Sequence, residues 1–199
     1  MESRPIRASP KTERGERTRL KIIRAAEKVF GERGFYEARI SEITRQSGVA
    51  LGTFYLYFSS KEEIFRALVE TLNHDLRRSL AEGVRGLKTR SEIEAKGLRA
   101  FLHFLQRHRK LYRIVKQAEI VDPPLFQWYY QRIAEGYARG LQEAMNKGEF
   151  RRRDPELIAF ALMGIGDFVG MRYVTLEDQL SEARLDDLVD FILHGLVKR

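Results

Sequence analysis

From Arg17 onward, apolar residues recur at spacings of three and four almost without pause, and no segment alternates with the period of two that marks a strand. Ile22, Ile23, Ala26, Val29 and Phe30 mark one face of a first helix, and Gly34 follows where a left-handed residue closes such a helix. Two short helices are predicted next, from about Ile40 to Ser47 and from about Leu51 to Tyr57. Ser60 and Glu63 form an S-x-x-E capping box that opens a long fourth helix to about Glu82. Ser91 and Glu94 repeat that signature ahead of Leu98, Phe101, Leu102 and Leu105, which share one helical face. Asp122-Pro123 and Asp154-Pro155 each place an N-cap oxygen before a proline at the first helical position, where a missing N–H costs nothing. These two dipeptides divide the second half of the chain into helices of about 108–121, 124–147 and 155–175. Leu185, Leu188, Val189, Ile192 and Leu196 mark a last amphipathic helix over 185–197. The pattern predicts an all-α chain of about nine helices, preceded by a flexible basic arm over residues 1–16.

Composition narrows the class. With 43% hydrophobic and 32% charged residues, the 199-residue chain has enough apolar material for one large domain or two small ones. The absence of cysteine excludes a disulfide scaffold, a thiolate metal site and a thiol nucleophile. Charged residues interrupt every apolar stretch before it reaches the roughly 18 residues of a membrane span. The opening MESRPIRASPKTERGERTR lacks the apolar core of a secretory signal, so a cytoplasmic protein without membrane partners is expected. The net charge of +8 is unevenly placed: residues 1–61 hold 13 Lys and Arg against 7 Asp and Glu, whereas residues 62–199 hold 23 against 21. A basic segment joined to a near-neutral one is the distribution of a nucleic-acid-binding domain with a partner domain.

Residues 39–61, RISEITRQSGVALGTFYLYFSSK, contain a short helix, a turn with Gly48 and a second short helix, the layout of a helix-turn-helix. At 100° per residue, Phe54 and Phe58 share a face that should pack inward, with Leu51 near its edge. The opposite face is centred on Gly52 and Leu56 and flanked by Thr53 and Tyr55. Gly52 lets backbone approach backbone, Thr53 can serve a base edge or a phosphate, and Leu56 can touch a thymine methyl. Tyr55 and Tyr57 carry phenols at a reach suited to phosphate oxygens, and Lys61 is placed to add a charged phosphate contact.

The run GTFYLYFSSKEEIF resembles the TetR family of transcriptional repressors, through Gly48, Gly52, Thr53, Tyr55, Phe58, Lys61 and Glu62. The upstream AAEKVFGERGF, residues 25–35, looks like the family's first helix and its Gly-aromatic exit. The resemblance covers about residues 17–65 and implies a DNA-binding domain over 17–62, followed by an effector-binding and dimerisation domain over 63–199. Position by position it implicates Ser41, Leu51, Gly52, Thr53, Tyr55, Tyr57 and Lys61 in DNA contact. Arg39 stands where the family usually has Thr, and Ala50-Leu51 replaces a common Ser-Lys pair. Arg39, Arg45 and the basic arm then supply the lost phosphate affinity. The resemblance further implies a homodimer on a palindromic double-stranded operator, released by a small-molecule effector.

For the second domain, residues 157–176 are apolar nearly all round and contain Gly164, Gly166 and Gly170. Such a helix is expected to be buried against its own domain and a partner, which places Phe160, Gly164, Phe168, Leu188, Ile192 and Leu196 at a dimer interface. Residues 62–199 hold 14 aromatic residues. Phe101, Phe104, Tyr112, Phe126, Trp128, Tyr129, Tyr130, Tyr137 and Phe168 are the candidate lining of an effector pocket. The acid-free run RHRKLYRIVK, residues 107–116, reads first as a solvated positive face; the sharper alternative is that it contributes Arg107 and Arg113 to an anionic effector with an apolar tail, such as a carboxylate or an acyl-CoA. No cofactor or metal is expected: His103 and His108 are five apart, not the four that would align two ligands on one helix face. No phosphate-loop or nucleophile-elbow motif is present, so an enzyme is not expected. The alternatives are an architectural DNA-binding protein without effector, and an activator of the same fold.

Overall fold

The computed structural model describes residues 12–175 and 180–195. Most of the predicted arm, residues 1–11, and the interface candidate Leu196 lie outside the described residues. Within them the chain forms α1 (Glu13–Arg33), α2 (Ile40–Ser47), α3 (Leu51–Tyr57), α4 (Lys61–Gly83), α5 (Arg90–Arg107), α6 (Leu111–Val121), α7 (Pro123–Asn146), α8 (Pro155–Gly170) and α9 (Glu182–His194). A π-helical turn, Met171–Thr175, follows α8, and no strand occurs among the described residues. The expected all-α architecture is the one observed. It divides into two compact units: Met1–Leu72 with Lys110–Gln127, and Asn73–Arg109 with Trp128–Arg199.

Several boundaries differ from the expectation for local reasons. Helix α1 begins four residues before Arg17, inside the predicted arm. Thr12 caps it by accepting from the Gly15 N–H at 3.1 Å, and Glu13 and Glu16 place negative charge at the positive end of its dipole. Helix α5 begins at Arg90, because Thr89 and Glu92 form the capping box and not Ser91 and Glu94. Both pairs satisfy the same spacing, and the earlier frame leaves Glu94 free for a buried role. Helix α6 begins at Leu111, not 108: the His108 N–H closes α5 onto the Phe104 carbonyl at 3.0 Å, and its ring stacks on Phe104 with centroids 4.3 Å apart. Helix α8 stops at Gly170, five residues short, where the π turn takes over. Helix α9 starts at Glu182 because Ser181 caps it, accepting from the Arg184 N–H.

In the first unit, Phe65 meets Phe30 and Phe35 edge-on while Phe30 and Phe35 stack, with centroids 5.0 to 5.8 Å apart, and Ile22, Ile43, Ile64 and Leu68 are buried in the same unit. Leu111, Ile114, Val115 and Ala118 on α6 are buried in the same unit, and α6 packs on α1. The helix is fixed there by polar contacts. Lys110 Nζ lies 2.7 Å from Glu32, and Arg113 Nη1 donates to the Gly31 carbonyl at 3.1 Å. The Phe35 N–H donates to Gln117 Oε1. In the second unit, α5 packs on α8 and α9, and Leu141, Met145 and Ala159 form a core cluster with Phe150 and Leu162 around it. Arg99 ties α9 to α5 through Asp186 at 2.5 Å.

Candidate DNA interface and internal cavity

Helices α2 and α3 have the limits read from the sequence. Gly48 joins them with φ +61°, a left-handed conformation that disfavours any residue with a Cβ. The turn is closed by N–H groups of Gly48 and Val49, bonded to carbonyls of Arg45 and Thr44. Phe54 and Phe58 are buried, and the Arg19 guanidinium lies over the Phe58 ring. This anchoring turns the opposite face outward: Leu56 is 71% exposed, Leu51 51% and Tyr55 43%. A Cβ on Gly52 would meet no atom within 4 Å, so the backbone at that point is open to a close approach. Thr53 and Tyr57 are half-buried at its flanks. Ser41, Arg39 and Arg45 on α2 are exposed.

Three features modify the expected roles. Arg39 gives no side-chain cap to α2, and only the reciprocal half of a capping box is made, the Glu42 carboxylate accepting from the Arg39 N–H at 3.0 Å. Ala50 likewise gives α3 no side-chain acceptor, so the first N–H groups of this helix carry no cap of that kind. Lys61 points its ammonium at the carbonyls of Tyr36, at 3.0 Å, and Ala38, at 3.2 Å, and lies over the Phe35 ring. Two of its three donors thus hold the α1–α2 connection. Arg17, Lys21 and Arg24, which the sequence reading did not single out, line a groove on α1 with Gln46 of α2. Their i, i+4, i+7 spacing, beside the apolar face that begins at Ile22, was the available signal.

The second unit contains a partly open cavity of about 390 Å³. It is lined from α4 by Leu76, Leu80 and Val84, from α5 by Ile93, Leu98 and Phe101, and from α7 by Tyr129, Tyr130, Ile133 and Tyr137, with contributions from α8 and Ile192 of α9. Of the expected lining, Phe101, Tyr129, Tyr130 and Tyr137 are present. Phe104 is buried against His108 elsewhere. Phe168 is 71% exposed and Trp128 is not among the lining residues. Arg107 donates to Ser79 Oγ at 3.4 Å, outside the lining. Tyr112, Arg113 and Phe126 belong to the first unit and do not line the cavity. The basic run 107–116 is therefore not its polar end, and its Lys110 and Arg113 serve α1.

The polar lining comes from residues that aromatic counting did not single out. Arg90 and Glu94 are buried and paired at 2.6 Å, and the Tyr137 hydroxyl donates to the other Glu94 oxygen. Burial, with Glu94 beside it, pushes the Tyr137 phenol well above its ordinary pKa, so it stays a neutral donor. Burial also raises the Tyr129 phenol, with Asp167 and Tyr130 adding to the effect. Tyr130 donates to Asp167 at 3.3 Å. The signal for the Arg90–Glu94 pair was an i, i+4 ion pair set among apolar positions.

A helix-turn-helix presenting an exposed recognition face, on an otherwise helical chain with an internal apolar cavity, defines a DNA-binding transcription regulator. Residues 22–68 match the family described as bacterial regulatory proteins, tetR family. The uncharacterized HTH-type transcriptional regulator YdgC of Bacillus subtilis is 27% identical over 94% of this chain and 96% of its own. The fatty acid degradation regulator FadR of Bacillus halodurans superposes with a TM-score of 0.81 at 25% identity, over 92% of this chain and 97% of that one. FadR from Bacillus subtilis, solved in complex with stearoyl-CoA, gives 0.76 at 26% identity, over 89% and 99%. Residues 22–68 thus carry the DNA-binding domain of the TetR family, and the relatives and structural neighbours support a TetR-family transcriptional regulator, themselves being regulators and not enzymes. Among the described residues no helix is long and apolar enough to cross a membrane, and no group of three or more His, Asp or Glu is placed to hold a metal ion.

Proposed function

We propose that the protein is a repressor that binds a palindromic operator as a homodimer and leaves it when an acyl-bearing hydrophobic effector fills the cavity of the second unit. The observation that carries this reading is the pairing of an exposed α3 face, with Gly52, Tyr55 and Leu56 outward, with a partly open, largely apolar cavity of about 390 Å³. Such a volume is in the range of small-molecule sites. Gly52, Thr53, Tyr55 and Leu56 read the major groove. Ser41, Tyr57, Arg39, Arg45 and the Arg17–Lys21–Arg24 face hold phosphates. Leu157, Phe160 and Phe168 on α8, with Phe191 on α9, are exposed apolar side chains that support a subunit interface.

An acyl-CoA is the favoured effector. The cavity accepts the acyl chain, and Arg132 and Arg139, both exposed among its lining residues, suit the phosphates. The stearoyl-CoA bound by the FadR of Bacillus subtilis supports this choice. A gel shift on the DNA upstream of the protein's own gene, repeated with acyl-CoAs, aromatic acids and neutral hydrophobes, tests it. Release by acyl-CoAs is expected. Retention of the complex with acyl-CoAs, and release by aromatic acids, would replace the effector class. Binding indifferent to sequence, with a steep salt dependence alone, would replace the repressor reading by an architectural one. Run-off transcription decides the sign of regulation, and a fall in transcript on adding protein is expected.

A further inference from the structure

We propose that the Arg90–Glu94 pair makes the polar end of the cavity selective for a neutral carbonyl oxygen, so that an acyl ester or thioester is bound and the corresponding free carboxylate is turned away. This rests on the reading of the cavity as the effector site and adds which headgroup it takes.

The pair is built into the wall. Arg90 and Glu94 sit one turn apart on α5 with side chains 9% and 7% exposed, and both line the cavity. Glu94 Oε1 accepts from Arg90 Nε at 2.7 Å and Nη2 at 2.6 Å, while Oε2 accepts from the Tyr137 hydroxyl. Glu94 thus already has a protein donor on each oxygen, and a ligand hydroxyl would have to compete for them. A guanidinium has five N–H donors. The Arg90 guanidinium also reaches the Tyr137 phenol oxygen, but its Nη1 makes no direct hydrogen bond of ordinary length among the described residues and is not a buried atom without a partner, so it keeps an N–H for a ligand. Gly140 on α7 leaves room for this nitrogen, since a Cβ there would collide with it.

Charge then decides what this donor takes. Within the Arg90–Glu94–Tyr137 cluster the guanidinium and the carboxylate cancel and Tyr137 is held neutral, so the cluster has no net charge to offer an anion, and Arg132 and Arg139 are exposed residues of the lining outside it. A second carboxylate on Nη1 would lie close to Glu94 in a poorly solvated wall, where like charges repel strongly and loss of hydration is costly. A carbonyl oxygen accepts the same N–H without bringing charge. Ile93, Leu98, Phe101 and Ile133 supply the apolar surface for the chain behind it.

The test is calorimetric titration of the full-length protein with two probes of equal chain length, the decanoyl thioester of N-acetylcysteamine and decanoate. Wild-type protein is expected to bind the thioester at least about tenfold more tightly than decanoate. Glu94→Gln, which removes the repelling charge and keeps the shape, is expected to bring the two within about threefold by strengthening decanoate. If that variant fails to melt cooperatively, the joint Arg90→Gln and Glu94→Gln change leaves no unpaired charge and is expected to weaken the thioester about tenfold. Tighter or equal binding of decanoate by wild type, an unchanged ratio in folded Glu94→Gln, or undiminished thioester binding in the double variant overturns the proposal. The underlying reading fails separately. If neither probe binds, or if the cavity-filling Ile133→Trp leaves thioester binding intact, the effector is not held in this cavity.

Discussion

Lys61 illustrates how a cation can serve a DNA-binding domain from inside it. Its ammonium bonds to the carbonyls of Tyr36 and Ala38 and covers the Phe35 ring, so its charge organises the segment that leads into α2. Hydrogen bonds to charged groups contribute about 1.5–3 kcal/mol each. Lys61→Met is therefore expected to lower the melting temperature and to weaken specific and scrambled duplexes by the same factor, leaving sequence preference unchanged. Leu56, 71% exposed, has the opposite profile. Leu56→Ala should leave the melting temperature unchanged and remove discrimination between thymine and uracil in a half-site, measured by competition binding, if its side chain touches the thymine methyl. An equal effect on both duplexes would assign Leu56 another contact. Glu70 carries a pH dependence. Burial pushes its carboxyl above the ordinary value, against the attraction of Arg66 and Arg19, and Asp122 adds to the rise. The fold thus favours the protonated form: the contribution is present at low pH and is lost as pH rises through the raised pKa. Glu70→Gln should raise the melting temperature at pH 7, with the gain fading as pH falls through the raised pKa and gone below about 4.

At the scale of elements, the capping boxes separate what local sequence settles from what it leaves open. Thr89-x-x-Glu92 and Ser91-x-x-Glu94 overlap by two residues and fit one pattern, yet the first caps α5. The Thr89 hydroxyl hydrogen bond holds the Glu92 carboxyl below its ordinary range, whereas Glu94 is turned inward to Arg90 and Tyr137. Thr89→Ala should cost about 1 kcal/mol in denaturant unfolding and Ser91→Ala close to nothing; the reverse ranking would restore the other frame. Helices α2 and α3 were legible to the residue because a left-handed glycine and two buried phenylalanines fix them locally. The outward face of α3 was legible for the same reason. The cavity was only partly so: Phe101, Tyr129, Tyr130 and Tyr137 could be named as aromatic, but their separation from Phe104 and Phe126 depends on helix packing that periodicity does not encode. The contacts of the run 107–116 were not legible because two of its partners, Glu32 and the Gly31 carbonyl, lie some eighty positions away. Those contacts make α6 part of the first unit, and the Gln117 acceptor for the Phe35 N–H belongs with them. Gln117→Leu strands a backbone donor and should destabilise the protein by about 1–3 kcal/mol in denaturant unfolding.

For the whole molecule, the apolar surface that the single chain leaves uncovered bears on its assembly. Leu157, Phe160 and Phe168 recur at helical spacing along α8, at 65%, 41% and 71% exposure, and Phe191 on α9 is 38% exposed. Gly164 lies in the same row, with open space where a Cβ would stand, so a partner helix could approach closely there. Leu188 is half-buried, and Ile192, expected at the interface, lines the cavity. Isolated exposed apolar residues need no explanation, but a row of them on a helix whose other side is packed favours a second subunit. Covering one phenylalanine side chain contributes about 1.5–3 kcal/mol, and a two-fold interface counts each contact twice. Phe168→Glu would then place two carboxylates in the interface while leaving the described core of either unit intact. Sedimentation should change from dimer to monomer at micromolar concentration, with cooperative unfolding retained. Operator affinity should fall far more than affinity for a single half-site, because the two α3 helices no longer act at one effective concentration. Thioester binding should persist, since Phe168 does not line the cavity. A Phe168→Glu protein that still sediments as a dimer would move the subunit interface off this row, and one that loses the thioester as well would mean that cavity and interface depend on each other.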